Sequence, residues 1–200
     1  FMLAIIDYGA GNLHSVKNAL DFLGAESVVT SEKSVILSAD KVILPGVGAF
    51  GDAMAELERS GLLETVKEVV NRGTPILGIC LGMQLLFASS EESPNVEGLN
   101  LFPGKIVRIP EVEGFKIPHM GWNDLVIDDE NCPLFSNTQN GDYVYFVHSY
   151  KAVLKDRANL CAHTFYGEEI PAVIGNGKNV FGAQFHPEKS EKVGLNMIKS

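Results

Sequence analysis

Cys80 stands between two glycines in Gly78-Ile79-Cys80-Leu81-Gly82, where the apolar run Pro75 to Ile79 gives way to Met83, Leu86 and Phe87 at helical spacing. A nucleophile between glycines at a strand-to-helix turn sits on a sharp bend with little bulk around it. A helix starting there would aim its free N–H groups and positive dipole end at the sulfur, favouring thiolate. The backbone N–H of Leu81 would be a natural oxyanion donor. A cysteine in an apolar run is also readable as a small core residue, so the chemistry needs a base. His186-Pro187-Glu188, far downstream, offers one. Pro187 disfavours helical dihedrals at His186, and in an extended segment residues two apart point to the same side, which would set Glu188 beside the ring. Cys80 as nucleophile, His186 as base and Glu188 as the group that orients the imidazole make up the leading catalytic set, suited to acyl transfer. His148 competes with His186 for the role of base. His14, His119 and His163, like His148, lack a neighbouring carboxylate in such an arrangement and read as structural or interfacial.

The elements that must position these groups alternate. Leu3 to Ile6 reads as a strand, Leu13 to Leu23 as a helix closed by Gly24, Val28-Val29 and Lys41 to Leu44 as two more strands, and Leu62 to Val70 as an amphipathic helix. Strand–helix alternation is the pattern of a parallel sheet covered on both faces. Gly9-Ala10-Gly11 lacks the third glycine of a dinucleotide fingerprint, where His14 stands, so a close backbone approach or an interface loop suits it better. Pro45-Gly46-Val47-Gly48-Ala49-Phe50-Gly51 follows the third strand, at the edge that also carries Cys80. It is a plain turn before a helix around Met54 and Leu57, or else a loop in which Val47 or Gly48 offers a second oxyanion N–H. Pro118 to Asn123 crowds a histidine, a methionine and the one tryptophan around a glycine turn, a packed corner or a partner surface. Asp142 to Tyr150 alternates like an antiparallel strand, and the second half adds β-rich segments that extend the same sheet. The expected fold is α/β: a three-layer open mixed sheet, a parallel core with helices on both faces and an antiparallel extension, in one domain over residues 2–200.

Composition narrows the function. The net charge of −9, without a Lys/Arg cluster, argues against nucleic acid or an anionic membrane surface. Three cysteines without metal-site spacing argue against a disulfide framework and fit a reducing, cytoplasmic setting. No stretch approaches the length of a membrane span, and Leu3 to Ile6 is too short for a signal-peptide core.

GICLGMQLLF followed far downstream by QFHPEKS resembles the class I, triad-type glutamine amidotransferases, whose flavodoxin-like fold agrees with the alternation above. Within them, DYGAGN, LPGVGAFG, PHMGWN, YFVHSY and FHPEKS are similar to the subfamily of glutaminase subunits serving imidazole glycerol phosphate synthases in histidine biosynthesis, along essentially the whole chain. The resemblance implies that Cys80 forms a γ-glutamyl thioester and releases ammonia. It implies that Gly48, Gly82, Gln84, Ser149 and Tyr150 hold glutamine. No cofactor or metal is implied. The implied partner is a (β/α)8-barrel cyclase subunit, met through Asn12, Pro118, His119, Met120, Trp122, Asn123 and Lys189, to which the ammonia would be channelled. Other members of the class would share Cys80, His186 and Glu188 but lack PHMGWN; a cysteine peptidase or a non-catalytic module on the same sheet fits the intact triad less well.

Overall fold

The computed structural model describes residues 2–9, 13–190 and 194; the loop containing Asn12 lies outside the described residues. Four short strands open the chain, β1 (Leu3–Ile6), β2 (Ser27–Thr30), β3 (Lys41–Leu44) and β4 (Ile76–Ile79). Between them run α1 (Leu13–Phe22), α2 (Lys33–Ser38), α3 (Phe50–Arg59) and α4 (Leu62–Asn71), and α5 (Leu81–Gln84) follows β4. Eight strands make up the rest: β5 (Gly104–Arg108), β6 (His119–Asp124), β7 (Val126–Ile127), β8 (Tyr143–His148), β9 (Tyr150–Leu154), β10 (Leu160–Phe165), β11 (Glu169–Gly175) and β12 (Val180–Ala183).

The main sheet has the order β2-β1-β3-β4-β12-β11-β10-β7. Its first five strands are parallel, and β11, β10 and β7 continue it antiparallel. Every residue of β1 is buried, as expected for a strand covered on both faces. On one face Leu3, Ile5, Ile43 and Ile79 pack against Val16, Ala19 and Leu20 of α1. On the other, Ala4, Ile6, Val42, Leu44 and Ile76 meet Ile36, Leu57, Val66 and Val69 of α2, α3 and α4. Full burial of such a side chain is worth roughly 1.5–3 kcal/mol, so apolar packing on both faces holds the three layers together.

Four details depart from the sequence reading. The short helix α2 carries little periodic signal and was not anticipated. Pro118 to Asn123 is not a corner: from His119 it is strand β6, paired with β8 from His119↔His148 to Asp124↔Tyr143. Gly121 sits inside that ladder at φ 123°, so pairing with a partner strand overrides the local turn signal. The antiparallel strands do not all extend the main sheet either, since β5–β9 and β6–β8 form separate two-stranded ribbons. The helix after Cys80 lasts one turn, because the carbonyls of Leu85, Leu86 and Ala88 accept from Leu99, Leu101 and Gly98 instead of continuing a helical ladder.

Candidate active site

Strand β4 lies between β3 and β12, all three parallel, with Gly78 level with both Leu44 and Gly182. Their carboxyl ends therefore deliver Cys80, the Gly46–Gly48 loop and His186 to one edge. Cys80 holds φ 55° and ψ −110°, a region that L-residues rarely occupy. Its N–H donates to the Ala183 carbonyl at 2.7 Å, and its own carbonyl accepts from Met83 and Gln84. Close approach explains the flanking glycines: a Cβ on Gly78 would stand 2.6 Å from the Gly82 carbonyl oxygen, and one on Gly82 would overlap the Leu44 carbonyl. A one-turn helix supplies little dipole, so the helix-dipole route to a thiolate is weaker than the sequence suggested.

His186 and Glu188 meet, though not on a strand. The chain turns after His186 into a 3-10 turn, Pro187–Lys189, with Pro187 in its first position. His186 itself stays extended (φ −100°, ψ 98°), as the following proline requires. Its Nδ1 lies 3.2 Å from Glu188 Oε1, an ion-pair contact whose angle falls short of a good hydrogen bond, with both side chains almost wholly buried. Burial pulls the imidazole pKa down, but contact with the Cys80 thiol and with the Glu188 carboxylate outweighs it and holds the pKa at about 9. Ser190 pins the turn, accepting from the Tyr145 N–H at 2.9 Å and donating to the His186 carbonyl at 2.6 Å.

A cavity of about 250 Å³ opens here, lined among others by Val47, Gly48, Cys80, Leu81, Gln84 and His186. Tyr150 also lines it, whereas Ser149 and Gly82 do not; the Ser149 carbonyl accepts from Ile109 N–H at 2.9 Å. His148 lines the cavity, yet neither ring nitrogen is available to Cys80. Nδ1 is 2.7 Å from the Tyr150 carbonyl and Nε2 is 2.9 Å from His119 Nδ1. Burial, offset in part by that carbonyl, drives its pKa down to about 3, with neighbouring His119 and His186 opposing a further positive charge. His186 is thus the histidine at the cavity placed to share a proton with sulfur. The Cys80 thiol is 3.6 Å from the Val147 carbonyl, to which it donates.

The Leu81 N–H, read as an oxyanion donor, donates to the Gly46 carbonyl at 3.3 Å. In a planar trans peptide the C=O and N–H point opposite ways, so the Val47 N–H faces away from the elbow in this state. Two residues the sequence reading missed also belong here. Gln184 is fully buried, accepting from Gln84 Nε2 at 3.3 Å and donating to Cys80 Sγ at 3.9 Å; its position two before His186 was the available signal. Glu92 lines the cavity while its Oε1 accepts from the Phe50 N–H at 2.8 Å, a contact 42 residues away in sequence that no local pattern announces. Of the residues expected at a partner surface, Pro118, Met120, Trp122 and Lys189 are exposed, Asn123 is half-buried and His119 is buried. Lys189 also lines the cavity.

The family model for glutamine amidotransferase class-I matches residues 4–199. This chain belongs to the class-I glutamine amidotransferase family. An amidotransferase relative from Geobacillus sp. (strain WCH70), imidazole glycerol phosphate synthase subunit HisH, is 50% identical over 203 residues, covering 100% of this chain and 95% of its own. The protein of the same name from Bacillus cereus (strain G9842) is 51% identical over 199 residues, covering 100% and 93%. Among solved structures, PurLQS from Thermotoga maritima superposes with a TM-score of 0.77 at 22% identity, covering 99% of this chain and 95% of that one. The glutaminase domain of Trypanosoma brucei CTPS does so with a TM-score of 0.66 at 16% identity, covering 98% and 92%.

Proposed function

We propose that this chain is the glutaminase subunit of an imidazole glycerol phosphate synthase, acting in the cytoplasm with a (β/α)8-barrel cyclase as partner. Identity of about half the residues along the full length of relatives bearing that subunit's name carries the assignment. The chemistry follows from Cys80, His186 and Glu188. Cys80 Sγ attacks the carboxamide carbon of glutamine as a thiolate, its proton held by His186. The tetrahedral intermediate collapses when His186 returns that proton to the leaving nitrogen, giving ammonia and a γ-glutamyl thioester. Water, deprotonated by His186, then cleaves the thioester to glutamate. Glu188 keeps the ring oriented and its charged form stable throughout. Gln84 and Tyr150 hold the substrate, and Glu92, the carboxylate of the cavity lining, suits its α-ammonium group. The ammonia is passed to the cyclase, which forms imidazole glycerol phosphate and an aminoimidazole carboxamide ribotide.

The resting geometry supports control by the partner. Turning the Gly46–Val47 peptide over would free the Leu81 N–H and bring the Val47 N–H toward Cys80, completing the oxyanion site in one motion. Gly48 at φ 98°, with open space where a side chain would be, leaves the loop room to turn. The test is glutamate release from glutamine by the purified chain, alone and with cyclase and its nucleotide, with Cys80→Ala as the blank. Low activity alone and a large rise in the complex, lost in the variant, is the expected result. Full activity alone overturns the gate; no activity in a demonstrated complex overturns the glutaminase.

A further inference from the structure

A single line of side-chain hydrogen bonds runs from strand β6 to the nucleophile, and the chemistry of its members fixes the direction of each bond. A carbonyl oxygen can only accept, so His148 Nδ1 carries the hydrogen it shares with Tyr150 O at 2.7 Å. His148 is buried and neutral, so its Nε2 is an acceptor, and His119 Nδ1 must be the donor across their 2.9 Å contact. His119 Nε2 is then an acceptor in turn, and Asn123 Nδ2 donates to it at 3.3 Å. Asn123 has no other orientation: the same amide nitrogen donates to the Phe165 carbonyl at 2.9 Å and its oxygen accepts from the Asp124 N–H at 2.9 Å. At the far end the Tyr150 carbonyl also accepts from Gln84 Nε2 at 3.4 Å. Gln84 leads on through Gln184 to Cys80 Sγ.

Packing locks the middle of this line. The His119 ring is stacked between Phe146 and Tyr166, at centroid separations of 4.6 and 4.0 Å and an interplanar angle of 21° to each. Neither ring can turn over without leaving a buried nitrogen unpaired, which costs more than the bond itself contributes.

We propose that His119 and His148 form a positioning relay, anchored by Asn123, that holds the Tyr150 carbonyl in place and through it sets Gln84 in the glutamine pocket. The relay rests on the glutaminase reading for what Gln84 holds, and adds to it that residues of β6 which never touch glutamine determine how well it is held. His119, Gly121 and Asn123 share one face of β6 and Met120 and Trp122 the other, so a shift of this strand moves His119 and, through its hydrogen bond to His148, bears on the Tyr150 carbonyl that Gln84 holds.

The experiment compares His119→Phe, which keeps the ring stack and removes the donor, with His119→Asn, whose amide can donate from the position of Nδ1. Glutamine affinity is read by calorimetry on the full chain in a Cys80→Ala background, and histidine tautomers by nitrogen-15 spectra of the parent chain. The expected result is an affinity about tenfold weaker in His119→Phe, equivalent to about 1.4 kcal/mol, restored to within about threefold by His119→Asn, with parent His148 neutral and protonated on Nδ1. Equal affinity in parent and His119→Phe overturns the relay, as does equal weakening by both variants, which would mark His119 as a packing residue only. A parent that fails to bind glutamine refutes the glutaminase reading instead. The spectra then judge the relay by themselves, since a charged His148, or one protonated on Nε2, excludes the bond directions it needs.

Discussion

At the scale of single residues, the site depends on placing an imidazole between a thiol and a carboxylate away from water. The ordinary histidine pKa is about 6.5, and His186 stands at about 9. A pKa raised in the folded state means that the native protein binds the proton more tightly than the unfolded chain does. The resulting stabilisation is complete below about pH 6.5 and disappears as pH rises through about 9. Urea unfolding of the parent and of His186→Gln should therefore show a stability difference that narrows on going from pH 6.5 to pH 9.5, by on the order of 3 kcal/mol. A difference that stays constant across that interval would mean that the ring is neutral at rest. The same reasoning separates His148 from His186: both border the cavity, and the hydrogen bonds already made at each nitrogen, not proximity to sulfur, exclude His148 as the base.

At the scale of elements, the β6–β8 ribbon carries two buried neutral histidines. Burial lowers the pKa of His119 to about 4, and the burial of His148 takes it to about 3. Here the sign is opposite. Between these values and about 6.5 the unfolded chain binds more protons, so stability rises with pH and is lost on acidification. Each group contributes a slope of up to about 1.4 kcal/mol per pH unit. The expected outcome is marked destabilisation from pH 6.5 to pH 4.5 and a shallower slope in His119→Phe, checked by thermal melts across that range. An unchanged slope would place the acid sensitivity in other groups. The 3-10 turn of Pro187–Lys189 has the same dependence on context: Ser190 ties it to Tyr145 of β8, so the ribbon and the base are positioned together.

For the whole molecule, the catalytic edge and the exposed face of β6 adjoin. Met120 and Trp122 remain 62% and 47% exposed, which suits the partner contact proposed for them. Trp122→Ala should weaken binding of the proposed cyclase by about 30-fold, or about 2 kcal/mol, measured by calorimetry, and leave the melting temperature of the free chain nearly unchanged. Affinity equal to the parent's would move the interface elsewhere. Lys189 lies both on the surface and in the cavity lining, so a partner seated over it would touch the proposed glutamine site directly.

The amino-acid sequence by itself determined the parallel core and the chemistry. Apolar runs, helical stripes and glycine turns are local signals, and the types and order of Cys80, His186 and Glu188 are what their proposed roles as nucleophile, base and orienting acid rest on. Only the tertiary structure decided what depends on contacts distant in the chain. Pairing with β8 made a strand of the Gly121 segment, and the loop after Gly98 ended the helix behind Cys80. Glu92 reached the cavity across 42 residues, and the Gly46 carbonyl occupied the Leu81 N–H. Each of these outcomes is a competition for a backbone or side-chain hydrogen bond, and the winning partner is known only once the fold has brought the competitors together.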